Sequence, residues 1–250
     1  VVRGRVLYPE VPQFAVLADR MQTVGIMAGF GLDLGKGIRV GAGFSVQVVG
    51  SLLSAPRLGG AIDGTRALRF GLNASAVSVG IAMIAFAWSL AVVPTALEGK
   101  AYYEILFWGG GHALQFAWTL LMLVAWLCLA QACGARIPLS PRLALLMFAL
   151  ALVSVFVTPY AYLAHDVATV EHRNLHTWAM RFGGGVAILP VGLAVVLAIL
   201  PLRGVDPVAR PLRAALISSM TLFAAGGVIG MLIGGNNVKI PAHYHGCIVG

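Results

Sequence analysis

Long apolar stretches alternate with short polar linkers over most of this chain. Five stretches are long enough to cross about 30 Å of hydrocarbon at about 1.5 Å per helical residue. They run approximately over 72–95, 104–133, 143–165, 177–202 and 212–235. A sixth begins near Ile240 and meets the last residue before it spans that distance. The pattern predicts an all-α fold, a polytopic bundle of transmembrane helices.

The residues before 72 give a weaker signal. Segments 13–34 and 41–56 are apolar and rich in glycine, but they are short or interrupted by charged residues. They are weaker candidates for spans, and with them a single membrane domain over 1–250 would hold about six to eight segments. Because the chain opens on Val1 and its last apolar stretch is short, we expect a fragment truncated at both ends.

The composition indicates that most of the surface faces lipid. Hydrophobic residues make up 59% of the 250 residues and charged residues 10%, whereas soluble domains carry about 25% charged residues. The net charge of +8 comes largely from arginines in alternate linkers, at 57–71, 134–142 and 203–213, rather than from one basic block. By the positive-inside rule these linkers are cytoplasmic. Lipid, and not nucleic acid, is therefore the expected partner.

The histidines all fall towards the opposite, non-cytoplasmic ends of the predicted helices. The six are His112, His165, His172, His176, His243 and His245. Ionisable groups within spans are costly and usually functional, and imidazole is the commonest ligand of iron, copper and zinc. The distribution predicts metal sites towards the non-cytoplasmic face.

Two spacings refine this prediction. His243 and His245 are two residues apart, so on a helix they point about 200° apart. One metal cannot easily take both, whereas two haems flanking one helix can; a helix cap or an interfacial pair is the alternative. His172 and His176 are four residues apart and can chelate one metal from one helix face.

Three stretches resemble the catalytic subunit I of the haem-copper oxidases, a superfamily that includes cytochrome c oxidases and nitric oxide reductases. Leu222–Gly230 followed by Pro241–Gly246 resembles the family's ninth helix and its His-x-His tenth helix. Glu104–His112 resembles the start of the sixth helix, and Ile188–Gly192 resembles an Ile-Pro-x-Gly stretch in the eighth. The resemblance extends from about residue 72 to residue 250.

The resemblance implies two haems and one non-haem metal, copper or iron. His243 would be the proximal ligand of the high-spin haem, and His245 would ligate the low-spin haem from the other face of the same helix. His112 would be the first ligand of the non-haem metal. The second ligand of the low-spin haem belongs to the family's second helix, so it would lie upstream of Val1.

One departure from the family concerns the other ligands of the non-haem metal. The family has adjacent histidines at the end of its seventh helix, where this chain has His165-Asp166. A carboxylate ligand favours iron over copper. His172 and His176 are alternative ligands, and a different alignment would place Thr158-Pro159 there and leave the site short of ligands.

A second departure concerns protons. Many oxidases carry a tyrosine one turn after the sixth-helix histidine, where this chain has Phe116. Tyr160 or Tyr162 is expected to serve instead, unless no tyrosine is needed. Glu171, near the outward mouth, is the nearest acidic candidate for proton delivery.

The resemblance implies a respiratory terminal reductase in a bacterial or archaeal plasma membrane. It would take electrons from a cytochrome or a quinol, would work with a further subunit, and would reduce O2 to water or NO to N2O. Phe116 and Asp166 tilt the expectation towards NO. Two alternatives stand beside it: a proton-coupled transporter or channel with a relay through His165, Asp166, Glu171 and His172, and a haem-binding membrane cytochrome without a second metal.

Overall fold

The computed structural model describes residues 23–33, 39–49, 62–202, 206–234 and 238–249. The chain divides into two compact units, Val1–Ala61 and Ile62–Gly250. The first contains two antiparallel strands, β1 (Thr23–Asp33) and β2 (Arg39–Val49), paired from Thr23↔Val49 to Asp33↔Arg39.

These strands differ from the helical spans considered for 13–34 and 41–56. Glycine costs a helix about 1 kcal/mol relative to alanine, and β1 alone contains three glycines in eleven residues. Two glycine pairs face each other across the strands, Gly29↔Gly43 and Gly31↔Gly41. The other residues of segments 13–34 and 41–56 lie outside the described part of the chain.

The second unit is a helical bundle, which confirms the all-α prediction for its described residues. Its helices, in chain order, are α1 (Gly64–Val92), α2 (Gly99–Ala132), α3 (Pro141–Val155), α4 (Val157–Ala164), α5 (Val170–Trp178), a π-helical segment (Ala179–Gly184), α6 (Gly185–Ile199), a 3₁₀ turn (Pro207–Ala209), α7 (Arg210–Met231) and α8 (Lys239–Val249).

Five helical segments in the described residues are long and apolar enough to cross a membrane, as predicted. They are Gly64–Val92, Gly99–Ala132, Pro141–Ala164, Val170–Ile199 and Pro207–Met231. The third joins α3 to α4, and the fourth joins α5 to α6 through the π-helical segment. The partial sixth segment is helical too, as α8.

Short polar side chains set where the helices begin. The Asp63 carboxylate accepts the Arg66 N–H at 2.7 Å at the start of α1, and the Ser140 hydroxyl accepts the Leu143 N–H at 3.2 Å at the start of α3. The Thr169 hydroxyl accepts the amide N–H three residues later at 3.3 Å and so begins α5. Such caps satisfy amides that have no partner within the helix.

Helix α2 lies at the centre of the bundle. Half of the residues in its most apolar stretch are buried inside the bundle, against 11% in the span Pro207–Met231. Glycines allow its neighbours to approach closely, as is common between membrane helices. At Gly71 of α1, an added Cβ would lie 2.8 Å from Val124 on α2 and 3.1 Å from Phe148 on α3. The central helix therefore holds its histidine, His112, in the interior.

Helix α8 packs on α7 through a similar backbone contact. A Cβ added to Gly226 would lie 2.8 Å from the backbone nitrogen of Cys247. A Cβ added to Gly230 would lie 2.6 Å from the ring of His243. The two glycines are four residues apart, so they present one face of α7 to α8.

Candidate metal site

Three histidines from two helices meet inside the bundle. His112 comes from α2, and His172 and His176 come from α5. The ring centroids of His172 and His176 are 4.6 Å apart, and those of His112 and His176 are 6.1 Å apart. The three side chains are 8%, 1% and 1% exposed. We call this group the histidine trio.

The hydrogen bonds of the trio leave nitrogen lone pairs available. His112 Nδ1 donates to the Trp108 carbonyl at 2.7 Å, and His176 Nδ1 donates to the His172 carbonyl at 2.9 Å. A neutral imidazole that donates from Nδ1 carries its acceptor lone pair on Nε2. Nε2 of His176 and both ring nitrogens of His172 are buried with no partner in the described part of the chain.

Unpaired buried nitrogens of this kind are available to bind a ligand. Leaving a buried polar atom unsatisfied costs about 1–3 kcal/mol, and most such atoms in folded proteins have a partner. In the described residues, no three His, Cys, Asp or Glu side chains already stand in metal-coordinating geometry. The donor chemistry of the trio nevertheless fits a metal that prefers imidazole, such as copper, iron or zinc.

Tyr162 of α4 closes one side of the trio. Its ring meets His172 edge-on, with centroids 4.7 Å apart and planes at 89°. Its hydroxyl is hydrogen-bonded to the Ser89 hydroxyl at 2.6 Å. Gly109 makes room for the ring, since a Cβ there would lie 2.8 Å from Tyr162 Cε2. Tyr160, by contrast, is 59% exposed.

Among the described residues, His165 and Asp166 form no hydrogen bond or ring contact with His112. His165 is half-buried at the end of α4, and Asp166 is exposed. The Asp166 carboxylate accepts the Ala168 N–H at 3.1 Å, and its carbonyl accepts the Thr169 hydroxyl at 2.7 Å, so Asp166 shapes the turn before α5. Because α4 ends at residue 164, these two residues belong to that turn.

His165 and Asp166 line a cleft of about 370 Å³ instead. The cleft also touches Trp88, Val92 and Tyr162. Glu171 is exposed in the first turn of α5. These groups therefore lie around the trio rather than within it.

His243 and His245 lie on different faces of α8. His243 is half-buried against α7, and its Nδ1 donates to the Gly226 carbonyl at 2.7 Å. His245 is exposed, and its Nδ1 donates to the Pro241 carbonyl at 2.7 Å. Both rings thus keep Nε2 available, and within the described residues their contacts are with α7 and α8.

Trp108 and Arg173 are neighbours of the site that the sequence reasoning missed. The Arg173 guanidinium donates to the Glu104 carboxylate at 2.6 Å and stacks over Trp108 at 4.4 Å from the ring centroid. The Trp108 ring lies 4.6 Å from the His112 ring. Glu104, Trp108 and His112 are spaced four residues apart, which places all three on one helix face. This spacing could have pointed to Trp108 from the sequence.

The chain is similar to two uncharacterized bacterial proteins. The Rickettsia prowazekii protein is 28% identical over 203 residues, and the match covers 68% of this chain and 39% of that protein. The Aquifex aeolicus protein is 30% identical over 146 residues, which is 58% of this chain and 34% of that protein. The matched part of the chain thus spans well under half the length of either relative. No protein-family model and no solved structure matches the chain.

Proposed function

We propose that this chain is part of the catalytic core of a membrane oxidoreductase that binds haem and a non-haem metal and reduces O2 to water or NO to N2O. The observation that carries the proposal is the histidine trio, with three unpartnered ring nitrogens buried in a membrane bundle. Intramembrane ionisable residues without a function are rare because they are costly. A redox metal explains both the residue type and the missing partners.

The proposed ligands of the non-haem metal are His112, His172 and His176. Hydrogen bonds from Nδ1 to backbone carbonyls fix the rings of His112 and His176, as second-shell bonds do in metal sites. This set replaces His165 and Asp166 in the proposal. Without a carboxylate ligand, the donor set no longer favours iron over copper, and one reason for expecting NO rather than O2 as the substrate is gone.

His243 and His245 are the proposed haem ligands. In both, Nδ1 donates to a carbonyl and leaves Nε2 for the iron, which is the arrangement that an axial histidine requires. The haem would supply gas binding and electron transfer when bound. The residues of the chain hold the two imidazoles on different faces of α8, and Gly230 leaves space for the His243 ring against α7.

Tyr162 is the proposed proton donor beside the metal. Its hydroxyl is held by Ser89, and its ring contacts His172. Reduction of either gas consumes protons, so a buried hydroxyl next to the ligands is well placed to give one up. Glu171 is exposed at the outer start of α5 and is proposed to collect protons from water.

The remaining parts of the proposal concern the surroundings of the chain. Membrane-spanning helices place the chain in lipid contact as a multi-pass protein. A bacterial-type plasma membrane agrees with the sources of the two relatives. The electron donor, a cytochrome or a quinol, and a further subunit follow only from the resemblance to the haem-copper oxidases.

Metal analysis of histidine variants tests the function and the ligand set together. We expect His172→Ala and His176→Ala to lose the non-haem metal and gas-consuming turnover while retaining haem. His165→Ala is the matched control and should keep both, because its ring lies outside the trio. Metal content is measured by mass spectrometry per mole of protein, and haem by its Soret absorption.

Each other outcome has a definite meaning. Loss of the metal in His165→Ala but not in His172→Ala would support the ligand set that includes Asp166. Purified protein with neither haem nor metal would refute the oxidoreductase and favour the transporter. Haem without any second metal would favour the membrane cytochrome.

A further inference from the structure

One arginine connects the two helices that carry the histidine trio. Arg173 lies on α5 between His172 and His176. Its Nη2 donates to Glu104 Oε1 on α2 at 2.6 Å, and both side chains are 41% exposed. The ion pair therefore joins α5 to α2 at the rim of the site.

The same arginine holds α2 by two further contacts. Its guanidinium carbon lies 4.4 Å from the centroid of the Trp108 ring. The Trp108 indole N–H donates to the Arg173 carbonyl at 3.4 Å. Arg173 is thus bound to α2 through its charge, its planar face and its backbone.

Trp108 contacts both Arg173 and the buried His112. Its carbonyl accepts the His112 Nδ1–H at 2.7 Å, and the two rings are 4.6 Å apart. Glu104, Trp108 and His112 succeed one another at intervals of four residues, so they line one face of α2. A continuous set of contacts runs from the exposed ion pair to the first ligand.

Helix α5 needs such an anchor. It is the polar first part of the helical span Val170–Ile199, with the sequence VEHRNLHTW, and most helical stability in proteins comes from the packing of an apolar face. It follows a turn at its start and passes into the π-helical segment at its end. Packing of apolar side chains alone provides little to fix its rotation relative to α2.

We propose that Glu104 and Arg173 are positioning residues of the metal site. Their ion pair and the stack on Trp108 set the rotation and distance of α5 against α2, so that His172 and His176 stay within reach of a metal held by His112. The inference rests on the proposed function, since it requires the trio to bind metal.

The expected effect is moderate. A half-exposed ion pair and a partly exposed cation–π contact each change an equilibrium constant by roughly two- to fivefold. Both act on the alignment of three ligands, and loss of outer-shell partners typically lowers metal affinity by about 10- to 100-fold. We therefore expect removal of either charge to weaken metal binding by about tenfold.

Zinc affinity of the purified full chain measures this alignment without any need for turnover. Zn²⁺ is titrated in competition with a chromophoric chelator. Glu104→Gln and Arg173→Gln should each bind Zn²⁺ about tenfold more weakly than the unmodified protein. This difference in zinc affinity should become smaller in high salt because exposed charges are screened. Glu98→Gln is the matched control: it removes a carboxylate from the same end of α2 that makes no side-chain capping hydrogen bond, and its affinity should not change.

Two more variants separate positioning from general stability. The exchange of Glu104→Arg with Arg173→Glu restores the ion pair without the stack, so it should recover severalfold of the lost affinity. Arg173→Lys keeps the charge but lacks the planar guanidinium, so it should fall between the unmodified protein and Arg173→Gln. If Arg173→Gln does not fold, as judged by circular dichroism and gel filtration, Glu104→Gln and Arg173→Lys carry the test.

The results distinguish the two proposals. Zinc binding that depends on His172 but is the same in Glu104→Gln, Arg173→Lys and the unmodified protein overturns the positioning role and leaves the metal site standing. Zinc binding that is unaffected by His172→Ala overturns the metal site and the positioning role together. A charge exchange with no recovery overturns the role of the ion pair.

Discussion

The three consecutive glycines of α2 allow a direct test of how the site is packed. A Cβ at Gly109 would meet the Tyr162 hydroxyl and lie 2.8 Å from Cε2 and 2.9 Å from Cζ of the same ring. A Cβ at Gly111, two residues later, would meet nothing within 4 Å. Gly109→Ala and Gly111→Ala are therefore the same chemical change in the same helix, with and without a neighbour.

The size of the expected destabilisation depends on how far the Tyr162 side chain can move. Its ring is 7% exposed and its hydroxyl is bound to Ser89 at 2.6 Å, so it cannot swing aside without losing packing and a hydrogen bond. Overpacking costs about 1–3 kcal/mol, and the lost hydrogen bond costs about 0.5–1.5 kcal/mol. Both variants gain about 1 kcal/mol of helix propensity. Gly109→Ala should thus have a free energy of unfolding about 2–4 kcal/mol below that of Gly111→Ala.

Denaturant unfolding in detergent, followed by far-ultraviolet circular dichroism, measures this difference. The variants are compared with each other, so the shared propensity gain cancels. In a Tyr162→Ala background the difference should disappear, because the obstructing ring is gone. Equal stability of Gly109→Ala and Gly111→Ala in the natural background would refute the placement of Tyr162 against α2.

Two other contacts give predictions measurable in the same way. Ser89→Ala and Tyr162→Phe should each lower the free energy of unfolding by about 0.5–1.5 kcal/mol, and the double variant should cost little more than one of them; fully additive costs would show that the two hydroxyls do not interact. Gly226→Ala would press a methyl group against the Cys247 backbone, 2.8 Å away, whereas Gly227 faces open space. Gly226→Ala should therefore loosen α8 and speed maleimide labelling of Cys247 at least several-fold relative to Gly227→Ala; equal labelling rates would contradict the close packing of α7 and α8.

The two proposed ligand sets, one with His165 and Asp166 and one with His172 and His176, differ in the structure through the path of the chain between α4 and α5. From the sequence, His165 and Asp166 end one apolar segment and His172 and His176 begin the next, so both pairs qualify as partners of His112. The structure ends α4 at residue 164 and begins α5 at residue 170. A turn shaped by hydrogen bonds of Asp166 lies between them, and a turn of this kind directs side chains in ways that periodicity does not encode.

Tyr160 and Tyr162 show the same limit on a smaller scale. Both lie on α4, and residues two apart on a helix point about 200° apart, so only one can face the trio. The apolar pattern around them gives no preference, since lipid and the bundle interior are both hydrophobic. The close approach of α4 to Gly109 places the Tyr162 ring, and not that of Tyr160, beside the trio.

The sequence by itself predicted the five apolar spans that the structure shows as helices, whereas the cytoplasmic side of the basic linkers and the non-cytoplasmic placement of the histidines stay predictions. These follow from hydrophobic length and charge, which act residue by residue through transfer between water and lipid. Only the tertiary structure decided that His112 meets His172 and His176, and that Arg173 reaches both Glu104 and Trp108. Contacts between helices depend on rotation and crossing, which are set by the close approach of small residues such as Gly109 and by a few hydrogen bonds, and these are properties of pairs of segments rather than of either alone.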